Sequence, residues 1–399
     1  MFRGALYKVR LTAARVLSEP LSVGESVPFP FDAPQVHVAG PNPDRVLFFG
    51  SGPISGIGVE SHRSSIVGHA ARQIAALTGR GVDADIVADR TLSIAGAREL
   101  LQRTHPSRYD SIVIAAGLSD VMVATSSRLW ASRLADLLDA ILDEGAASCS
   151  VFLIGVGNPT ASALFRAWRK PSAAARANAF NRISRKLTAE RPRVTFLDFA
   201  IGQPQPGDRP YNSETHAQWA AQIARPIALA LNRTAASGVE RAAYGIEAEP
   251  QRQAALERLE ILDTEPEERF DRIVRMATVL FKAQTATFAL IDHDREWFKS
   301  IVGLDLHEVH RDVSFCTTTI TERGGLEVSD ARNDPRFATN PYVTGPPRIR
   351  FYLGYPVESH DGYPIGALSV FDPRPRQAGV NDMSVLRDLA LLIQGELAR

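Results

Sequence analysis

The sequence predicts two successive domains of different class, an α/β domain with a parallel sheet and then an α+β domain with an antiparallel one. Three observations predict this. The chain has 399 residues, too many for one typical domain and a natural length for two. From Arg45 to Leu231 short continuous apolar runs alternate with segments of helical period, the pattern of parallel strands buried on both faces by helices. Beyond a break at residues 233–249, helical segments instead bracket a run of consecutive strands, the order expected of an α+β unit.

The elements follow in order. Residues 1–44 carry Pro20, Pro28, Pro30, Pro34, Pro41 and Pro43 and are expected to be irregular and to drape over the first domain. Strands are expected at Arg45 to Phe49, Ala84 to Val87, Ser111 to Ala116, Ser150 to Val156 and Val194 to Leu197, about five in all. Helices are expected at Ser64 to Thr78, Ala97 to Gln102, Ser127 to Leu142, Ala174 to Glu190 and about Ala217 to Leu231, so the first domain spans 45–232. Residues 233–249, with Ala-Ala-Ser-Gly and Gly-Ile-Glu-Ala-Glu-Pro, lack a sustained apolar period and read as a linker. In the second domain, 250–399, helices are expected at Gln251 to Leu262, Glu267 to Phe281 and Asp382 to Leu397. Strands are expected at Ala286 to Asp292, Trp297 to Val302, Glu327 to Ser329, Phe351 to Glu358 and Ile365 to Phe371. Thr264 is placed as the N-cap of the second of these helices, ahead of Pro266 and two dipole-matching glutamates. Asp292-His293-Asp294-Arg295 reads as a hairpin turn.

Composition excludes several function classes. The 45 basic and 45 acidic side chains cancel, so no global field favours nucleic acid or an anionic membrane. Only Cys149 and Cys316 are present, which argues against a disulfide framework and fits a reducing compartment. The start Met1-Phe2-Arg3-Gly4-Ala5-Leu6 lacks the apolar core of a signal peptide, and no run approaches the roughly 20 apolar residues that span a bilayer. A soluble cytoplasmic protein is expected.

In the first half, Phe48-Phe49-Gly50-Ser51-Gly52-Pro53-Ile54-Ser55-Gly56-Ile57-Gly58-Val59 follows the first strand. Thr91-Leu92-Ser93-Ile94-Ala95-Gly96, Gly117-Leu118-Ser119-Asp120 and Ser213-Glu214-Thr215-His216 follow in order. These segments resemble the four blocks of SGNH/GDSL hydrolases, and the resemblance implies a flavodoxin-like parallel sheet with its crevice at the carboxyl ends of the strands. The reactive residues depart from the pattern. Ser51 stands where the family has Asp, and Gly52, which has no attacking atom, stands where it has the nucleophilic Ser. Ser119 replaces an Asn whose amide would donate to the oxyanion, a donor worth on the order of 3 kcal/mol in other hydrolases. Ser213 replaces the carboxylate that would orient His216. Ser51, Asp120 and His216 remain as vestigial catalytic candidates, with Ser55 and Glu214 as substitutes for a displaced nucleophile and orienting acid.

In the second half the quoted residues are Leu259-Glu260-Ile261-Leu262-Asp263-Thr264-Glu265-Pro266, Ile291-Asp292-His293-Asp294-Arg295-Glu296-Trp297-Phe298-Lys299-Ser300 and Ser314-Phe315-Cys316. Asp330-Ala331-Arg332-Asn333-Asp334-Pro335-Arg336-Phe337, Ile349-Arg350-Phe351-Tyr352-Leu353-Gly354-Tyr355-Pro356 and Gly362-Tyr363-Pro364-Ile365-Gly366-Ala367 follow. Together they resemble the GAF domains of bacterial signalling proteins, which implies a small-molecule pocket between sheet and covering loops. Candidate ligand contacts are Trp297, Phe298, Cys316, Asp330, Arg350 and Tyr352. Adjacent strand residues face opposite sides, so of Trp297 and Phe298 one belongs to the core. Arg350 clamps an anionic ligand or pairs with Asp330 or Asp334. Cys316 is followed by Thr317 rather than the His of a tetrapyrrole site, and it reads as a buried small residue or a redox thiol. His293, His307 and His310 fall in turn and loop, and no metal site is assigned.

The function expected is a cytoplasmic sensory protein in which the GAF-like domain binds a small ligand or a partner and the hydrolase-like domain is an interaction scaffold. The identity of any cofactor stays open. A downstream signalling protein is the expected partner, or a second copy of the chain through terminal helices. The competing expectation is an esterase with a rearranged site gated by the sensory domain; a redox enzyme working through Cys316 is a third.

Overall fold

The computed structural model describes residues 27–102, 104–158, 171–201, 211–237, 248–377 and 383–398. The expected course of residues 1–26 and of 238–247 within the linker lies outside the described residues. The chain divides into two compact units, Met1–Val239 and Glu240–Arg399.

The first unit contains β1 (Gln35–Val38), β2 (Asp44–Gly50), α1 (Ile66–Thr78), β3 (Val82–Ala88), α2 (Ile94–Leu101), β4 (Ser111–Ala115) and α3 (Leu118–Met122). It continues through α4 (Ser127–Glu144), β5 (Ser150–Ile154), α5 (Pro171–Ala189), β6 (Val194–Leu197) and α6 (Ser213–Ala236). Its sheet has the order β1-β3-β2-β4-β5-β6. All neighbours are parallel except β1, which lies antiparallel on β3. Strand β2 is buried at every position, and with alternate side chains facing opposite covered sides its residues 46–49 are apolar without interruption. Val46 and Phe48 pack with Ile66, Ile74, Trp219 and Ile223 of α1 and α6. Leu47 and Phe49 pack on the other face with Trp130, Leu134 and Phe180 of α4 and α5, where Trp130 and Phe180 stack at 4.5 Å.

Helix starts follow local chemistry. Ser65, Ser126 and Asn212 accept from the Val67, Leu129 and Thr215 amides at the heads of α1, α4 and α6, each satisfying a donor the helix leaves free. Two differences from expectation stand out. Part of the segment read as irregular is the strand β1; with only Val36 of its four residues buried and prolines on both sides, it carries almost no hydrophobic period. Helix α6 overruns its expected span at both ends, to Ser213 and Ala236.

The second unit contains α7 (Glu249–Glu257), α8 (Glu268–Phe281), β7 (Thr285–Ile291), β8 (Arg295–Val302), β9 (Glu308–His310), α9 (Phe315–Thr319) and β10 (Leu326–Val328). It ends with α10 (Pro341–Thr344), β11 (Phe351–Glu358), β12 (Pro364–Asp372) and α11 (Met383–Leu397). Its sheet, β10-β11-β12-β7-β8-β9, is antiparallel throughout. One face packs Phe288, Leu290, Trp297, Leu353 and Leu368 against Phe270, Val274, Leu386 and Ile393 of α8 and α11. The other carries Ala289, Ile291, Tyr352 and Ala367 under Phe315, Cys316 and Phe337.

Here α7 stops at Glu257 instead of reaching Leu262, because Glu260 and Asp263 take left-handed backbone, at φ 48 and φ 59. Thr264 does not cap α8. Its hydroxyl donates to the Ile261 carbonyl and accepts from Lys299 Nζ at 2.6 Å, and Glu267 occupies the N-cap position. Short β9, α9 and α10 lie in stretches that the sequence leaves without periodicity.

Candidate functional site

In the first unit the strand order reverses between β2 and β4, and open α/β sheets place their crevice at the carboxyl ends of strands at such a point. Gly50 ends β2 at φ 128, and a Cβ there would stand 1.9 Å from the Ala115 carbonyl oxygen of β4, so only glycine lets the two strands stay paired. The next residue, Ser51, donates its amide to the same carbonyl at 2.7 Å. A cavity of about 30 Å³ opens here, lined by Ser51, Pro53 and Leu118 together with Gly155, Gly157 and Phe199.

The candidate reactive groups do not meet in it. Gly52 has φ 72 and contributes no side chain. Ser51 Oγ and Ser55 Oγ are buried with no hydrogen-bond partner among the described residues. His216 is fully buried and both of its nitrogens are committed to backbone. Nδ1 accepts from the Ile66 amide at 3.0 Å, so the proton sits on Nε2, which donates to the Ile57 carbonyl at 2.9 Å. Trp219 stands edge-on at 5.0 Å. Burial disfavours the imidazolium and pushes the His216 pKa down to about 4.

Asp120 does not orient His216. Its carboxylate accepts from the Ile94 amide and the Thr125 hydroxyl, each at 2.8 Å, capping α2, and burial raises its pKa to about 6. The Ile94 amide, which lies in the second of the four hydrolase-like blocks, is thereby occupied. Ser119 Oγ faces the Arg90 carbonyl at 3.4 Å. Ser213 Oγ pairs with His69 Nε2 at 2.9 Å, and Glu214 is exposed in the first turn of α6.

In the second unit a cavity of about 40 Å³ lies between the sheet and the segments around α9 and α10. Strand alternation decides what enters it. In the β7–β8 register Ile291 pairs with Glu296 and Ala289 with Phe298, which puts Glu296 and Phe298 on the cavity face. Trp297 and Lys299 fall on the helix side, Trp297 in the apolar core and Lys299 against Glu267 at 2.8 Å. Of the ligand contacts read from sequence, Phe298, Cys316 and Tyr352 line the cavity. Asp330 and Arg350 do not. They form a bidentate ion pair with each other, and the Arg350 hydrogen bonds hold the Asp330 carboxyl below its usual range.

The polar atoms at this cavity form a chain. Tyr352 OH is 2.6 Å from Thr319 Oγ1 and donates to Cys316 Sγ at 3.4 Å. Ser369 Oγ is hydrogen-bonded to Thr287 Oγ1 at 2.8 Å. Glu296 is 5% exposed and is held by the Ser314 hydroxyl and the Cys316 thiol; burial raises its pKa. Burial and the neighbouring Glu296 push the Cys316 thiol well up, which keeps it protonated and a poor nucleophile at neutral pH. Burial also pushes Cys149, at the foot of β5, up to about 12. His293 and His310 lie apart on the surface, beside Glu257 and Asp312. Sequence reasoning missed Glu296, although the same alternation that sends Trp297 to the core sends Glu296 to the cavity.

A family model for the GAF domain matches residues 265–397. These residues are a GAF domain. The antiparallel sheet with helices on one face and loops over the other is its architecture here. Among curated proteins, the cyclic di-GMP phosphodiesterase PA2567 of Pseudomonas aeruginosa is 40% identical over 152 residues, 38% of this chain and 26% of that protein. The chain thus spans about a quarter of that relative's length. Among solved structures, the GAF domain of an Acinetobacter phosphoenolpyruvate-protein phosphotransferase is similar at 18% identity, covering 37% of this chain and 93% of that one, with a TM-score of 0.27. A lipase from a goat rumen metagenome is similar at 14% identity, covering 46% and 97%, with a TM-score of 0.38. A family two carbohydrate esterase from Cellvibrio japonicus is similar at 12% identity, covering 49% and 63%, with a TM-score of 0.35. Among the described residues no helix is long and apolar enough to cross a membrane.

Proposed function

We propose that this chain is a signalling protein in which the GAF domain holds a small molecule in the cavity beside Glu296, Cys316 and Tyr352. The α/β unit serves as a non-catalytic scaffold for contact with another protein or a second copy. The name of the Pseudomonas relative, a cyclic di-GMP phosphodiesterase, supports a signalling setting. One observation carries the non-catalytic reading: both His216 nitrogens are spent on the backbone of residues 57 and 66. A general base needs a free nitrogen within hydrogen-bond reach of the proton it removes, and His216 has none to offer Ser51 or Ser55.

The test is incubation of the purified 399-residue chain with a fluorophosphonate probe and with p-nitrophenyl acetate. The expected result is no serine adduct by intact mass and no turnover above the buffer rate. A stoichiometric adduct on Ser51 or Ser55, with hydrolysis that His216→Phe abolishes, would overturn the scaffold reading and establish a rearranged esterase.

A further inference from the structure

The GAF cavity is apolar on nearly every side, with Phe298, Ile301, Leu304, Leu306 and Val309 among its walls, yet a buried carboxyl group stands in it. Among the described residues, none that lines it is Lys, Arg or His. Among the described residues, the polar groups that bear on Glu296 are the Cys316 thiol and the Ser314 hydroxyl, both neutral. A buried carboxylate without a cation costs several kcal/mol, so such a group stays protonated until a counter-charge arrives. The lining also includes the aromatic rings of Phe298, Tyr342 and Phe371, a residue type whose faces attract cations.

We propose that this cavity selects a compact organic cation, a primary amine with a short alkyl body, whose ammonium group pairs with the Glu296 carboxylate. This rests on the ligand-binding role proposed above for the GAF domain. The ammonium supplies the charge that the walls lack and three N–H donors. Glu296 accepts them, and the hydroxyls of Ser314 and Tyr352 offer further acceptor oxygens at the cavity wall. The alkyl part meets Ile301, Leu304 and Leu306. At about 40 Å³, against the 150 Å³ or so of a cavity that takes benzene, the body is limited to very few heavy atoms. An anionic ligand of the same size would face a carboxyl group with no basic residue to offset it. A neutral one would leave Glu296 as it is.

Ethylammonium, with ethanol and acetate as neutral and anionic counterparts, tests this on the full chain at constant ionic strength. The readout is the methyl resonances of Ile301, Leu304 and Leu306. Ethylammonium should shift them saturably, with apparent affinity at least tenfold above ethanol, and acetate should leave them unmoved. Glu296→Gln should remove that preference at least tenfold while the ethanol response persists. If that variant fails to fold, the carboxyl ¹³C resonance of Glu296 in the wild-type chain decides the matter, moving to its ionised position on saturation with ethylammonium. Ethanol or acetate binding as tightly as ethylammonium, or a Glu296 carboxyl that does not respond, overturns the cation assignment and leaves the ligand cavity standing. If none of the three probes moves these methyls, the cation assignment and the ligand-binding reading fail together.

Discussion

His216 joins segments far apart in the chain, bonding residues 159 and 150 positions away. It is a staple for the loop after β2. His216→Phe keeps the ring's bulk against Trp219 but leaves a buried amide and a buried carbonyl unpaired, an expected loss of about 2–4 kcal/mol in denaturant unfolding of the first unit. The same residue sets a pH response. His216 has its folded pKa lowered to about 4 from 6.5, so the unfolded chain binds the extra proton between those values and stability rises with pH. Asp120 is raised from 3.8 to about 6; there the folded chain holds the extra proton, and stability falls as pH rises from about 4 to 6. At about 1.4 kcal/mol per unit each group contributes about 3 kcal/mol, with opposite sign, so in wild type they nearly cancel. Asp120→Asn removes the opposing slope. Its first unit should therefore lose about 3 kcal/mol between pH 6.5 and pH 4, measured by urea unfolding at each pH. The empty position at Gly52 was legible from sequence, since a missing side chain needs no coordinates. The occupancy of His216 was not, because its partners are backbone groups that only the fold brings near.

At the scale of elements, the central strands β2, β4 and β5 were legible because helices cover both faces and leave them continuously apolar over most of their length. The edge strand β1 was hidden because it buries one residue of four. In the second unit, β9, α9 and α10 are too short to show a period. The end of α7 was hidden because left-handed backbone at Glu260 and Asp263 is a conformational choice that neither residue type announces. The junction of β2 with the following turn makes the sharpest demand. Gly50→Ala drives a Cβ into the Ala115 carbonyl and holds alanine at φ 128, so the β2–β4 pairing must open. The expected cost exceeds about 3 kcal/mol, visible as a lowered unfolding midpoint with the second unit's transition unchanged.

For the whole molecule, each unit has its own sheet and its own pair of apolar clusters, which is what an independently folding domain requires. A fragment of residues 248–399 is expected to give dispersed amide resonances and a cooperative thermal transition; a fragment that aggregates or shows only collapsed resonances would contradict this. The apolar alternation made both architectures readable, while the interior chemistry of each depended on facing directions that only register supplies. One strand joins these scales. β8 presents Glu296 and Phe298 to the cavity, and from its opposite side Lys299 grips Thr264, the Glu265 carbonyl and Glu267 at the head of α8. A displacement of tenths of an ångström at the cavity side of this strand therefore reaches a helix start tied to it by the three Lys299 contacts.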